Sequence, residues 1–502
     1  MFTHLYLISF LITTYKMVKK ASVLLFYILP SVLFSQSNKK LKEETEKLNS
    51  DKAMKHAVWS ICVMPAKKDT VVYEYNSAVS LIPASTMKVA TTGAALSLLG
   101  KDFKFETKIK YDGSFDSIAG TIKGNIFIIG GGDPTLESTY FKKENDTATI
   151  LDKWAAKLKA KGIKRITGGI VGDGSIFSYN ITPAQWIWGD MGNYYGAGAS
   201  GLCYKDNKYT VYFNSGNAGT KAKIVKISEV NNDFWIKDSV IAQGTEDDAY
   251  IYGAPYSSYH KMEGTIPPNK INYEVDGSIS DPEKFCAEQF RKAIVRAGII
   301  VEGGVQSQKE ISENKLRPQL PKKLMFTNYS PSLDSIIHLT NLKSINLFAE
   351  CILNFLSYKK SGYGNETEGT EIVTDFWKNK GVDVSGFFMN DGCGLARANV
   401  ITTQTQTQML RVMAKDKNFN SFYNSLPVAG KSGSLGGMCV GTFAENNLHA
   451  KSGYMNRARG YAGYVKNKKG EILCFSLLAN NYECTPTEMK RKLEKLLVAI
   501  VE

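Results

Sequence analysis

A serine and a lysine three residues apart, in Ser85-Thr86-Met87-Lys88, open an apolar run just after Pro83. Residues at this spacing share one face of a helix, so a single turn sets a hydroxyl beside an amine. A serine alcohol attacks a carbonyl carbon only once a base takes its proton. A lysine amine becomes that base where burial or neighbouring positive charge lowers its pKa. The same spacing recurs at Ser37/Lys40, Ser258/Lys261, Ser312/Lys315 and Ser357/Lys360, so setting must choose among them. Pro83 suits a helix start, and Val89, Ala90, Ala94, Ala95, Leu98 and Leu99 continue an apolar helix to Gly100. Ser85 then lies in a first turn, whose unsatisfied amides favour an alkoxide and a deprotonated lysine. The other pairs sit in polar, turn-rich or charged sequence. The competing reading of Ser85 is a helix-capping serine.

Acyl transfer by such a pair needs a further hydroxyl to relay protons, an amide to orient the substrate and a cation for a substrate carboxylate. Ser344-Ile345-Asn346 offers the first two within Asn341–Glu350, which reads as the start of a buried helix. The cation has two candidates. Lys431-Ser432-Gly433 runs into the glycine-rich Ser434-Leu435-Gly436-Gly437. Lys451-Ser452-Gly453 precedes a hairpin pattern, Tyr461–Val465, a turn at Asn467–Gly470, and Ile472–Leu478. Lys451 is preferred, because lysine, hydroxyl and glycine at a strand edge make a carboxylate site against which an extended peptide can lie.

The elements that must position these groups read as an α+β domain interrupted by a module. Residues 39–55 form a polar amphipathic helix, Ala57–Met64 and Val71–Tyr75 a hairpin, and the Ser85 helix ends the first part at residue 100. The second part is expected to resume at 281, with a helix over Pro282–Ala297. It closes with the hairpin after Lys451 and a helix whose start, Thr485-Pro486-Thr487-Glu488, is a capping box. Residues 36–100 and 281–502 thus build an antiparallel sheet with helices on its faces. Residues 101–280 are an inserted module of short strands, with a nested subdomain near 205–270.

With 502 residues, 43% of them hydrophobic, the chain buries a sizeable core over more than one domain. Met17-Val18-Lys19-Lys20 and the apolar Ala21–Phe34 read as a signal peptide over 1–35, with Met1 and Met17 both candidate starts and a retained anchor the competing reading. No later stretch is apolar and long enough to span a bilayer. Export to a periplasm follows, leaving peripheral membrane contact open. Eight cysteines without a Cys-x-x-Cys pair and five scattered histidines argue against a metal site or a redox dithiol, so no cofactor is expected. The formal charge of +14 would suit an anionic polymer, but lysines are scattered and no nucleic-acid motif occurs.

In kind and order, Ser-x-x-Lys, Ser-x-Asn and Lys-Ser-Gly resemble the three active-site motifs of penicillin-recognising serine acyl-transferases. The long interval from Lys88 to Ser344 resembles the D-alanyl-D-alanine carboxypeptidase/endopeptidase branch of penicillin-binding protein 4 type. Gly130–Leu136, Gly172–Phe177, Trp186–Met191, Asp391–Arg397 and Leu426–Gly430 are similar to further segments of that branch. The last of these sets Lys431 in a loop. Three positions depart from the pattern: Ile345 where Asp is common, Tyr454 where Thr or Ser is usual, and Cys393 in place of a serine. Ile345 is expected to point away from the site.

The resemblance implies a β-lactamase/transpeptidase-like fold and an exported serine DD-peptidase acting on peptidoglycan stem peptides, with β-lactams as acylating inhibitors. Ser85 would attack the bond between two D-alanines, Lys88 would accept its proton, and Ser344 would help protonate the departing amine. Lys451 and Ser452 would hold the terminal carboxylate, Asn346 the acyl side-chain amide, and the N–H groups of Ser85 and Tyr454 the oxyanion beside Gly453. Asp190, with Tyr195 nearby, would pair with a free amine of the stem peptide. Two other readings stay open on the same scaffold: a β-lactam hydrolase and a non-catalytic wall-binding protein.

Overall fold

The computed structural model describes residues 39–142, 147–313 and 322–501. The expected signal peptide lies outside them. Among the described residues no helix is long and apolar enough to cross a membrane.

Strand β1 (Val58–Pro65) alternates its side chains between two buried faces, which is why it reads as continuously apolar. Trp59, Ile61 and Val63 pack on one side with Leu41 and Leu48 of the helix over 39–49 and with Leu493, Leu496 and Leu497 of the closing helix. The other face meets helix 403–413, whose Thr407 hydroxyl donates to the Cys62 carbonyl. β1 pairs antiparallel with β2 (Tyr73–Tyr75), completing the expected hairpin. With β3 (His449–Met455), β4 (Ala458–Lys466) and β5 (Ile472–Asn480) it forms one sheet in the order β2-β1-β5-β4-β3, antiparallel throughout. This is the helix-covered antiparallel sheet of an α+β fold. β3 lies at its edge, where its outer side meets Val428 in a single bridge at His449 and pairs with no further strand among the described residues.

Helix α1 (Lys88–Leu99) is buried through its first nine residues and shares a core with Ala462 and Tyr464 of β4 and Cys474 and Leu478 of β5. α2 (Leu333–Lys343) and α3 (Asn346–Ser361) pack against it, sharing a core that contains Ala94, Ala95, Ile336, Phe348 and Ile352. α4 (Thr403–Met413) starts on the Thr402 side chain, which accepts from the Thr405 amide. The closing helix α5 (Pro486–Ala499) begins with the expected capping box between Thr485 and Glu488.

A second core gathers Ile109, Trp154, Ile170, Phe285 and Phe290, among others. Around it stand a five-stranded sheet of Val305–Ser307, Ile170–Asp173, Ile126–Ile129, Glu106–Tyr111 and Lys323–Tyr329, and a four-stranded one. Two three-stranded sheets run between Lys208 and Ser278, so the smaller strands extend past the expected limit of 270. The resumption expected at 281 is corrected by packing. Helix Pro282–Arg296 buries Phe285, Phe290 and Ile294 in the second core, and strand Lys323–Tyr329 pairs with Glu106–Tyr111. The helices of the Ser85 core resume at α2, and Phe105, Phe177, Ala199 and Cys203 of the inserted module also reach that core.

Candidate active site

Ser85 sits in a 3-10 turn, Ala84–Met87, that leads directly into α1. Ala84 holds a left-handed φ of 47°, a conformation that costs a non-glycine residue on the order of 1 kcal/mol. Its carbonyl packs where a Cβ on Gly394 would stand, 1.9 Å away, so only glycine at 394 lets the two loops approach. Lys88 is fully buried. Its Nζ donates to the Ser85 Oγ at 3.0 Å, to the Asn346 Oδ1 at 2.7 Å and to the Cys393 carbonyl at 2.8 Å. Burial drives its pKa below the usual lysine value, against the opposing pull of Cys393, Asp391 and Glu350. The amine is thereby prepared to take a proton from Ser85.

Ser344 is not at a helix start. α2 ends before it, Ile345 intervenes, and α3 begins at Asn346. Ser344 itself is left-handed, at φ 60° and ψ 38°. That link turns its hydroxyl to the Lys451 Nζ, which donates to it at 2.9 Å and to the Ser452 carbonyl at 2.8 Å. Lys451 is fully buried, and its pKa falls well below the usual value through desolvation and the nearness of Lys88. Lys431, by contrast, is exposed. Ser452 donates its hydroxyl to Ser434, 2.6 Å away. Ile345 packs in the core at 8% exposure and also borders the cleft, so it does not face wholly away.

β3 approaches the Ser85 turn through Gly453. A Cβ there would stand 2.4 Å from the Pro83 carbonyl and 3.0 Å from the amide nitrogens of both Ser85 and Thr86. Ala450 sends its N–H outward to the Pro427 carbonyl at 2.9 Å. Alternation along the strand puts the N–H groups of Ser452 and Tyr454 on that same outer edge. Ser85, Ser344, Asn346 and Tyr454 line one cleft of about 840 Å³, together with Asp190 and Tyr195. These last two come from the inserted module, where Tyr195 donates its hydroxyl to Asp190 at 3.3 Å. The Asn346 Nδ2 donates to the Tyr195 carbonyl at 2.8 Å, tying that segment to α3.

Among known proteins, one family matches residues 41–501, nearly the whole described chain. The chain belongs to the D-Ala-D-Ala carboxypeptidase 3 (S13) family. Among curated relatives, the D-alanyl-D-alanine carboxypeptidase DacB of Haemophilus influenzae is 24% identical over 439 residues, covering 85% of this chain and 86% of that protein. The D-alanyl-D-alanine carboxypeptidase of Actinomadura sp. strain R39 is 25% identical over 459 residues, covering 88% and 81%. In fold, the chain is similar to penicillin binding protein 4 of Haemophilus influenzae, with a TM-score of 0.75 at 22% identity over 91% of this chain and 97% of that one. A second structure of that protein, complexed with a β-lactam, superposes at a TM-score of 0.68 and 21% identity, covering 89% and 97%.

Against this S13 framework, sequence reasoning missed what lies beneath Lys88. Asp391 is fully buried and accepts from the amides of Gly394 (2.7 Å) and Ala396 (2.6 Å), the Asn399 side chain (2.7 Å) and the Trp186 indole (2.9 Å). It thereby shapes the loop whose Cys393 carbonyl receives Lys88. Glu350 lies one turn along α3 from Asn346 and within reach of Asp391 and Cys393. Desolvation and the Asp391 charge push its carboxyl up to about 8. The available signal was the i, i+4 spacing of Asn346 and Glu350 on an otherwise apolar helix. Ser434 was passed over because it belongs to the rejected glycine-rich loop. Burial also raises the Asp190 carboxyl, partly countered by Arg397 across the cleft.

Proposed function

We propose that this S13 enzyme cleaves the D-alanyl-D-alanine bond of peptidoglycan stem peptides through an acyl-enzyme at Ser85, and also cuts cross-links that present the same carbonyl. The observation that carries the reading is the pair of buried amines, Lys88 on the Ser85 hydroxyl and Lys451 on the Ser344 hydroxyl. Among the described residues neither amine has an ion-pair partner, and burial lowers the pKa of both. A substrate carboxylate arriving at Lys451 and Ser452 restores the positive charge on Lys451. A cation there disfavours a second one at Lys88, which stays free to take the Ser85 proton.

Ser85 then attacks the carbonyl between the two D-alanines. The oxyanion is held by the N–H groups of Ser85 and Tyr454, and the departing amine receives its proton through Ser344 and Lys88. Asn346 keeps one face on Lys88 and holds the substrate's acyl amide with its remaining hydrogen-bonding capacity. Asp190 and Tyr195 receive a side-chain amine of the stem peptide. Water releases the shortened peptide. A β-lactam, shaped like the D-alanyl-D-alanine end, acylates the same hydroxyl. Export to the periplasm, supported by the apolar Ala21–Phe34, would place the enzyme at this substrate, and the formal net charge of +14 over the full sequence suits an anionic wall.

The experiment is digestion of purified muropeptide monomers and dimers, followed by mass spectrometry, with labelled penicillin in parallel. Loss of one alanine from pentapeptide, with stable label on Ser85 and none in Ser85→Ala, supports the reading. Rapid turnover of the label without alanine release points to a β-lactam hydrolase, and no labelling of the parent protein to a wall-binding role. Cleavage of dimers decides the cross-link activity separately.

A further inference from the structure

Two buried thiols that take no part in this chemistry face each other where the inserted module meets α3. The sulfurs of Cys203 and Cys351 lie 3.6 Å apart, 148 residues apart in sequence, and both are fully buried. Cys351 follows Glu350 on α3, the helix that presents Asn346. Cys203 lies seven residues after Gly196, which ends the turn Tyr194–Gly196 whose Tyr195 carbonyl receives Asn346. The Cys203 sulfur is held in place, donating to the Ser200 carbonyl at 3.2 Å and accepting from the Asn207 side-chain amide at 3.2 Å. A disulfide needs its sulfurs at about 2.05 Å, so closing the bridge brings them about 1.5 Å nearer than the 3.6 Å at which they stand. Cys286 is also fully buried and is the alternative partner that the test must separate.

We propose that Cys203 and Cys351 are a disulfide site, closed when the chain folds in an oxidising medium and clamping the cleft's inserted wall to the helix of Asn346. One cysteine thiolate attacks a small-molecule disulfide such as oxidised glutathione, releasing one glutathione thiolate and leaving a mixed disulfide. The second cysteine thiolate displaces the remaining glutathione. Two protein thiols lose two protons and two electrons, and the donor disulfide is reduced to two thiols. The exchange takes place before the core closes, since neither sulfur reaches solvent afterwards.

The test refolds the full chain from denaturant in a defined glutathione buffer, so it does not depend on export or on the proposed substrate. After acid quenching, thiols are counted in denaturant and a non-reduced digest is mapped by mass spectrometry. Expected are two fewer free thiols than the eight cysteines and a peptide pair joining 203 to 351, two hydrogens lighter than the sum of its parts. Reduction should lower Tm by on the order of 5 °C, and Cys203→Ser or Cys351→Ala should leave every remaining thiol free. A refolded, penicillin-labelling protein with all eight thiols free overturns the proposal, as does a bridge from Cys203 to Cys286. The parent protein's peptide map decides the matter even if neither variant folds.

Discussion

Replacing Ser344 separates two consequences of one residue, because it carries both the hydroxyl that faces Lys451 and a left-handed backbone at φ 60°. Ser344→Ala removes the hydroxyl and keeps the torsion. The Lys451 amine, fully buried, then retains only the Ser452 carbonyl of its two acceptors, a loss worth about 1–3 kcal/mol. Ser344→Gly removes the same hydroxyl but adopts the left-handed conformation freely, recovering about 1 kcal/mol. In urea, both variants should therefore be less stable than the parent, with glycine the better of the two. Acylation should tell the opposite story of equality. A positioned proton relay contributes roughly 100- to 10,000-fold, so both variants should acylate with labelled penicillin slower by at least about 100-fold, and at rates close to each other. Stopped-flow labelling reads the rate, and urea midpoints read the stability. Parent-like acylation by Ser344→Ala would remove the hydroxyl from the proton route. Acylation by the glycine variant far above the alanine one would make backbone geometry, rather than the relay, the operative feature.

Gly453→Ala should abolish acylation while leaving the sheet folded, because its methyl would stand 2.4 Å from the Pro83 carbonyl and push β3 off the Ser85 turn; near-parent labelling with a parent-like circular dichroism spectrum would refute the contact. With the Lys88 pKa driven down by burial, the acylation rate of the parent should rise with pH and level off below the ordinary lysine value of 10.5. A rate still climbing to that pH would show an unperturbed base. Glu350 has a folded pKa of about 8 against 4.5 for the free group, so the folded state holds the extra proton between those values and the stability it contributes is lost as pH rises through them. Glu350→Gln should flatten the fall of Tm across that range while keeping acylation within about threefold of the parent, a small change by the tenfold-per-1.4 kcal/mol scale; an unchanged slope would refute the raised pKa. Asp190→Asn should raise KM for stem peptides with a free side-chain amine and leave it unchanged for amine-blocked ones, as measured by alanine release.

What could be read before any coordinates was whatever a short stretch of chain decides for itself. Ser85 and Lys88 needed one turn, the capping box at Thr485 needed four residues, and the β4–β5 hairpin needed its turn at Asn467–Gly470. Lys451 was separable from Lys431 because strand and loop sequences differ locally. Ser344 was misread as part of a helix because its neighbours are good helix formers. The break there follows from a tertiary demand, that one hydroxyl face β3 while Asn346, two residues on, faces α1. A left-handed serine satisfies both at a cost no local pattern announces.

The boundary at 281 failed for a related reason. Pro282–Arg296 has the caps and apolar stripe of any amphipathic helix, and such a stripe states that something covers it without stating what. Phe285 and Phe290 fit the core of Trp154 and Ile170, and only the three-dimensional arrangement assigns them there. The floor beneath Lys88 was hidden in the same way, since Asp391, Glu350 and Cys393 converge from two distant segments. Its physical logic is nevertheless specific. Asp391 accepts from four N–H donors and the Cys393 thiol and holds the loop, Glu350 is pushed towards its neutral form beside that carboxylate, and the Lys88 amine donates to the Cys393 carbonyl. A second ionised carboxylate there would raise the Lys88 pKa against the burial that lowers it, so a proton on Glu350 supports the base role proposed for Lys88.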